Sequence, residues 1–179
     1  MLVKISIGVV LVLALFVIVV ALQPGAFRVT RSTKIAAAPA AAFAHVNDLH
    51  KWEAWNPWGK IDPAMKLTYE GPETGVGSAY HWDGNSAVGA GSATITESHP
   101  DDRVQLRLDF LRPFKNTCEA QFTFEPAGDQ TTVTWAMEGK KNFFSKAIGL
   151  FMSMDSMIGG QFEKGLADLK SVVEASPSA

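Results

Sequence analysis

VQLRLDFLRPFKNTCEAQFTFEPAGDQTTVTWAM, residues 104–137, decides the fold. Apolar residues recur at every second position in three separate runs. Val104, Leu106, Leu108 and Phe110 share one face while Gln105, Arg107 and Asp109 share the other; Cys118, Ala120, Phe122 and Phe124 repeat the pattern, and Val133, Trp135 and Met137 repeat it again. A period of two is that of a half-buried strand, whose side chains alternate between core and solvent. Ala127-Gly128-Asp129 supplies the second turn and Pro113 lies in the first, so the connections are short. Short connections impose antiparallel pairing, because parallel neighbours need a long crossover.

Outward from this stretch the pattern continues. Residues 65–70 alternate Met65, Leu67 and Tyr69, residues 78–82 alternate Tyr80 and Trp82, and residues 89–98 form a run rich in Gly, Ala and Thr. Asp83-Gly84-Asn85 reads as a tight hairpin between the last two. Phe27, Val29 and Ile35 mark a first strand over residues 27–35. Between it and the others, residues 40–48 predict a short helix with Pro39 near its first turn, residues 50–55 a second helical piece, and Pro57 and Pro63 a loop. After Gly139 the period changes to three and four, with Phe144, Ile148, Phe151, Ile158, Phe162, Leu166, Leu169 and Val173 on one stripe. A break is expected near residues 153–156 and a frayed end over residues 175–179. The order predicts an α+β fold: a curved antiparallel sheet of about seven strands wrapped on a long C-terminal helix. A curved sheet closed by one helix is a natural container.

The front of the chain reads differently. Residues 5–22 (ISIGVVLVLALFVIVVAL) carry no charge, and at about 1.5 Å per residue they would span roughly 27 Å. They are expected to form one transmembrane helix, giving a membrane anchor over residues 1–22, a linker over 23–26 and a domain over 27–175. A cleaved signal peptide is the rival reading, and the side of the membrane stays open. Sixteen Lys and Arg against 18 Asp and Glu leave a net charge of -2, which gives no field for a nucleic-acid backbone. The lone Cys118 excludes an internal disulfide, and the four histidines show no metal-ligand spacing such as HExxH. No GxSxG surrounds a serine, and Gly89-Ala90-Gly91 lies between strands rather than before a helix. No cofactor and no metal are therefore expected.

The element order, the Trp52-Glu53-Ala54-Trp55-Asn56-Pro57-Trp58 stretch, the Asn85…Gly89-Ala90-Gly91 turn, Thr132-Val133-Thr134-Trp135 and the terminal Phe162-Glu163-Lys164-Gly165-Leu166 resemble the SRPBCC superfamily. That superfamily is also called START-like or Bet v 1-like, and the likeness is to bacterial proteins labelled polyketide cyclase/dehydrase. The resemblance implies a helix-grip fold with a hydrophobic cavity between the sheet and the last helix, but fold alone does not assign an activity.

The cavity is expected to be lined by Trp52, Trp55 and Trp58 at one end, by Tyr80, Trp82, Phe110, Phe122 and Trp135 from the strands, and by Phe151, Asp155, Ile158, Gly159 and Phe162 from the helical part. Asp155 stands where the apolar stripe would run between Phe151 and Ile158. It either caps the second helix or points a desolvated carboxylate into the cavity as a weak catalytic candidate, with His81 or Tyr80 behind it. Gly160 is assigned to close helix–sheet packing. The expected function is a membrane-anchored domain binding a hydrophobic small molecule or lipid without chemistry. The alternatives are a cyclase/dehydrase-like enzyme and a protein-interaction module using the outer sheet face.

Overall fold

The computed structural model describes residues 2–176, with side chains from residue 6 onward; of the expected frayed end, residues 177–179 lie outside the described residues. A helix α1 (Leu2–Ala21) leads into β1 (Ala26–Ile35), α2 (Pro39–Val46), a 3-10 turn (Leu49–Ala54) and α3 (Pro57–Ile61). Six strands follow, β2 (Lys66–Glu70), β3 (Ala79–Asp83), β4 (Ala90–His99), β5 (Arg103–Arg112), β6 (Asn116–Ala127) and β7 (Gln130–Lys140), then α4 (Phe143–Ile148) and α5 (Met154–Ala175).

The strands make one antiparallel sheet in the order β1-β7-β6-β5-β4-β3-β2. Only β1 departs from sequence order, closing against β7 by a register that sets Val29 opposite Met137 and Ile35 opposite Thr131. Register shifts at Ala90/Gly91 and Ile95/Glu97 in the β4–β5 pair increase local twist and bend, which helps a seven-stranded sheet to curl. The concave face holds the core. Phe122, Leu106, Ile95 and Ile35 from the sheet meet Trp55 and Leu49 from the 3-10 region and Phe162, Leu166 and Leu169 from α5, all essentially without solvent exposure.

Several expectations need correction. Among the described residues no helix is long and apolar enough to cross a membrane. Lys4 sits in the first turn of α1. The last turn of α1 is instead tied to the domain: Val20 is buried and Lys146 Nζ donates to the Ala21 carbonyl at 3.2 Å. The transmembrane helix, the anchor and the membrane location are withdrawn.

Pro57 does not open a loop but starts α3, where its missing N–H costs nothing, and Asn56 Oδ1 caps the helix by accepting from Trp58 N. The β3–β4 connection is wider than a two-residue hairpin, because Gly84 N donates to Gly89 O across residues 84–89. The helical break falls at residues 149–153, earlier than expected, with Ser153 as the N-cap of α5.

Candidate functional site

The helix α5 packs mainly over β1, and α2 is the helix that approaches β5. Small residues in the sheet deepen the space. In register, Trp82 lies opposite Gly91 and Gly91 opposite Phe110, while Tyr80 lies opposite Ala93, and Ala120 is flanked by Leu106 and Met137. The Trp82 ring lies over Gly91 where a Cβ would stand, and Ala120 in the floor leaves room between the larger side chains. Trp82 and Phe110 meet edge-on across Gly91 with ring centroids 5.6 Å apart.

The result is a cavity of about 120 Å³ walled by Trp52, Asn56, Trp58, Met65, Tyr80, Trp82, Val88, Leu108, Phe110, Ala120, Trp135, Met137, Ile158 and Phe162. Apolar cavities of roughly 150 Å³ take up benzene, so one ring-sized body suits this space. The aromatic walls brace one another. Trp135 is sandwiched between Phe162, parallel to it at 4.1 Å and 6°, and Phe122 at 4.9 Å. Trp52 is held by its indole N–H, which donates to Val46 O at 2.9 Å.

Of the residues expected at the cavity, Trp52, Trp58, Tyr80, Trp82, Phe110, Trp135, Ile158 and Phe162 come together on its walls. Trp55 and Phe122 lie behind them: both are fully buried, edge-on to each other at 5.9 Å, and buttress Trp52 and Trp135. Phe151 stands in the turn between α4 and α5 and is 82% exposed. Gly159 faces Arg31, whose guanidinium occupies the space a Cβ would need, whereas Gly160 has nothing near it and plays no packing part. Asn56, Met65, Val88, Leu108, Ala120 and Met137 complete the walls without having been singled out. Leu108, Ala120 and Met137 already carried the inward alternation, and Asn56 before Pro57 had the N-cap signature. Met65 opened the alternation with Leu67 and Tyr69, whereas Val88 sits in a connection whose course no periodicity reports.

Asp155 neither caps α5 nor reaches the cavity. Arg31, inward by strand parity, lies at the edge strand β1, and its guanidinium takes Asp155 in a two-pronged pair at 2.7 and 3.0 Å and Glu163 at 2.6 Å. The clamp fixes the first turns of α5 to β1. Hydrogen bonds from Arg31 hold the Asp155 carboxyl below the usual carboxylate range. Such a group stabilises the fold above the carboxyl's unfolded pKa and loses that contribution as pH falls through its lower folded value. Urea midpoints measured from pH 7 downward should therefore fall on acidification below about pH 4. Asp155→Asn should start lower at neutral pH and fall less over that window, and parallel profiles would exclude the clamp.

On the walls, Tyr80 is the one titratable side chain among the described residues. Burial pushes its phenol up to about 12, although Asn56 Nδ2 donates to its oxygen at 3.5 Å. His81 points to the other face, 3.2 Å from the Glu70 carboxylate. Cys118 is buried on the same sheet face as Ala120, and burial pushes its thiol up to about 11, so it holds its proton at neutral pH. A second hollow, of about 410 Å³, adjoins the first and shares Trp52, Asn56, Met65 and Tyr80 with it.

Comparison with known proteins fits this architecture. A protein of Chromobacterium violaceum, CV1439, superposes with a TM-score of 0.60 at 14% identity, covering 86% of this chain and 100% of that one. Aha1 of Colwellia psychrerythraea, solved as a dimer, gives 0.59 at 16% identity over 85% and 99% of the two chains. DynU16, from the dynemicin biosynthetic locus, gives 0.56 at 14% identity over 83% of this chain and 47% of that one. At these identities the likeness is one of fold. No curated protein matches the sequence. Residues 26–174 match the family described as polyketide cyclase/dehydrase and lipid transport, and the chain belongs to that family, within the SRPBCC superfamily.

Proposed function

We propose that the domain binds a compact, flat, largely apolar molecule in the cavity between β3–β7, α3 and α5. The observation that carries this reading is an unfilled space of about 120 Å³ walled by seven aromatic residues and a few aliphatic ones. Empty volume in a core is costly, since its lining loses packing partners, and a ligand of matching shape recovers those contacts. The space is well below the roughly 300–1,000 Å³ typical of drug-sized ligands, so a single ring or a small fused system fits better than an acyl chain or a whole lipid.

Binding without chemistry is favoured over catalysis by the walls themselves. A cyclase or dehydrase step moves protons and needs a base as well as an acid. Tyr80, with its phenol near 12, is protonated at neutral pH and offers a donor only. A cyclase-type reaction would have to rest on Tyr80 with a base brought by the substrate. An interaction module is less well supported, because the outer face of β5 and β6 presents Gln105, Arg107, Asp109, Thr117 and Glu119 rather than an apolar patch. Ligand-observed NMR of the full chain with toluene tests the reading: saturable, stoichiometric uptake is expected, and the absence of saturable uptake would contradict it.

A further inference from the structure

We propose that the cavity reads an oxygen acceptor on its ligand through two donors, the Tyr80 hydroxyl and the Trp135 indole N–H. Its ligand is then a ring compound bearing a carbonyl or comparable oxygen rather than a plain hydrocarbon. The inference rests on the binding reading above and specifies the ligand class of that same cavity.

Both donors are buried wall residues, with Tyr80 8% and Trp135 4% exposed. Trp135 Nε1 has no hydrogen-bond partner. It shares that condition with three other buried side-chain atoms among the described residues, on His81, Arg103 and Gln161, none of which belongs to a wall of this cavity. A buried donor left unpaired costs about 1–3 kcal/mol and is uncommon enough to require a reason.

The Tyr80 hydroxyl is half satisfied. Asn56 Oδ1 is committed to Trp58 N at the cap of α3, which turns the amide so that Nδ2 faces Tyr80 and donates to it. Asn56 thus fills an acceptor position on the phenol oxygen and leaves the phenol proton with no acceptor among the described residues. The buried phenol keeps that proton at neutral pH.

The neighbouring hollow differs. Its polar groups are already taken: Tyr69 donates to Glu53 at 2.8 Å, Lys60 to Asp168 at 2.7 Å, and Asp62 accepts from the backbone of Ala64 and Asn85. Unspent hydrogen-bonding capacity lies on the inner walls, and all of it is donor. An acceptor oxygen on the ligand answers such a group, while a cationic or donor-only ligand answers neither.

Acetophenone and α-methylstyrene form a matched pair of probes, equal in shape and differing only in an oxygen for a methylene. Titration of the full chain should show acetophenone bound about tenfold more tightly, the return expected of one or two net hydrogen bonds. Tyr80→Phe should lower acetophenone affinity several-fold and change α-methylstyrene affinity less than about twofold; that second affinity also reports whether the cavity has kept its shape. Trp135→Phe should act in the same direction. Equal affinities in the unaltered chain, or a preference that survives both substitutions, would overturn the inference and leave the cavity reading standing. Failure of both probes to bind would remove both.

Discussion

Phe122→Ala is expected to lower the free energy of unfolding by about 3–5 kcal/mol, measured by urea denaturation, because it deletes a wholly buried aromatic ring from the centre of the core. The ring touches three tryptophans. Trp52 and Trp55 meet it edge-on at 5.7 and 5.9 Å, and Trp135 stacks on it at 4.9 Å. Edge-on and offset contacts of this kind add to what area alone contributes. The neighbours cannot close the gap freely, since Trp52 is tied to Val46 O and Trp135 is held on its far face by Phe162. The near-UV circular dichroism of the tryptophans should weaken along with stability. A loss below about 1 kcal/mol would mean that the core re-packs easily and that the cavity walls are not braced as described.

Gly165→Ala and Gly160→Ala should move stability in opposite directions although both lie in α5. Alanine is a better helix former than glycine by about 1 kcal/mol, so both gain equally from propensity. At Gly160 nothing lies within 4 Å of an added Cβ and the gain stands alone. At Gly165 the Cβ would stand 2.9 Å from Trp135 Cζ3 and 3.0 Å from Pro57 Cδ. Neither can yield cheaply: Trp135 is sandwiched, and Pro57 is fixed by the capped start of α3. Overpacking typically costs about 1–3 kcal/mol, enough to cancel or exceed the propensity gain. A difference of about 1–3 kcal/mol between the two variants is therefore expected in thermal or urea unfolding. Equal stabilisation of both would show that α5 is not in close contact with Trp135.

Strand periodicity made much of this legible in the sequence. The alternation in residues 104–137 specified three strands, their inward faces and their antiparallel pairing, because one face of each is buried and a shift by one residue would expose it. The aromatic walls followed where they lay on strands or on the stripe of α5. Legibility failed where position depends on contacts between distant segments. Asp155 broke an apolar stripe, but its partner Arg31 lies 124 residues away on β1 and itself occupies an inward position that periodicity assigns to the core. Phe151 continued the stripe by spacing alone, yet the chain leaves the helix at residues 149–153 and carries it outward. Trp55 and Phe122 were recognisably internal, but whether an internal ring lines a space or supports the ring that does depends on packing. The apolar front of the chain read as a membrane span on hydropathy, whereas among the described residues no helix is long and apolar enough to cross a membrane, and the end of α1 is docked on the domain.

Toluene titration of Ala120→Leu beside the unaltered chain tests the central claim most directly. Ala120 is 2% exposed and forms part of the cavity floor, so a leucine there projects three further carbons into a space of about 120 Å³. Circular dichroism and a thermal unfolding curve would establish that the variant keeps its fold. The account predicts saturable binding by the unaltered chain and at least about tenfold weaker binding by Ala120→Leu, since the ligand and the new side chain compete for one volume. Equal binding by a folded Ala120→Leu variant would place the ligand elsewhere and contradict the account.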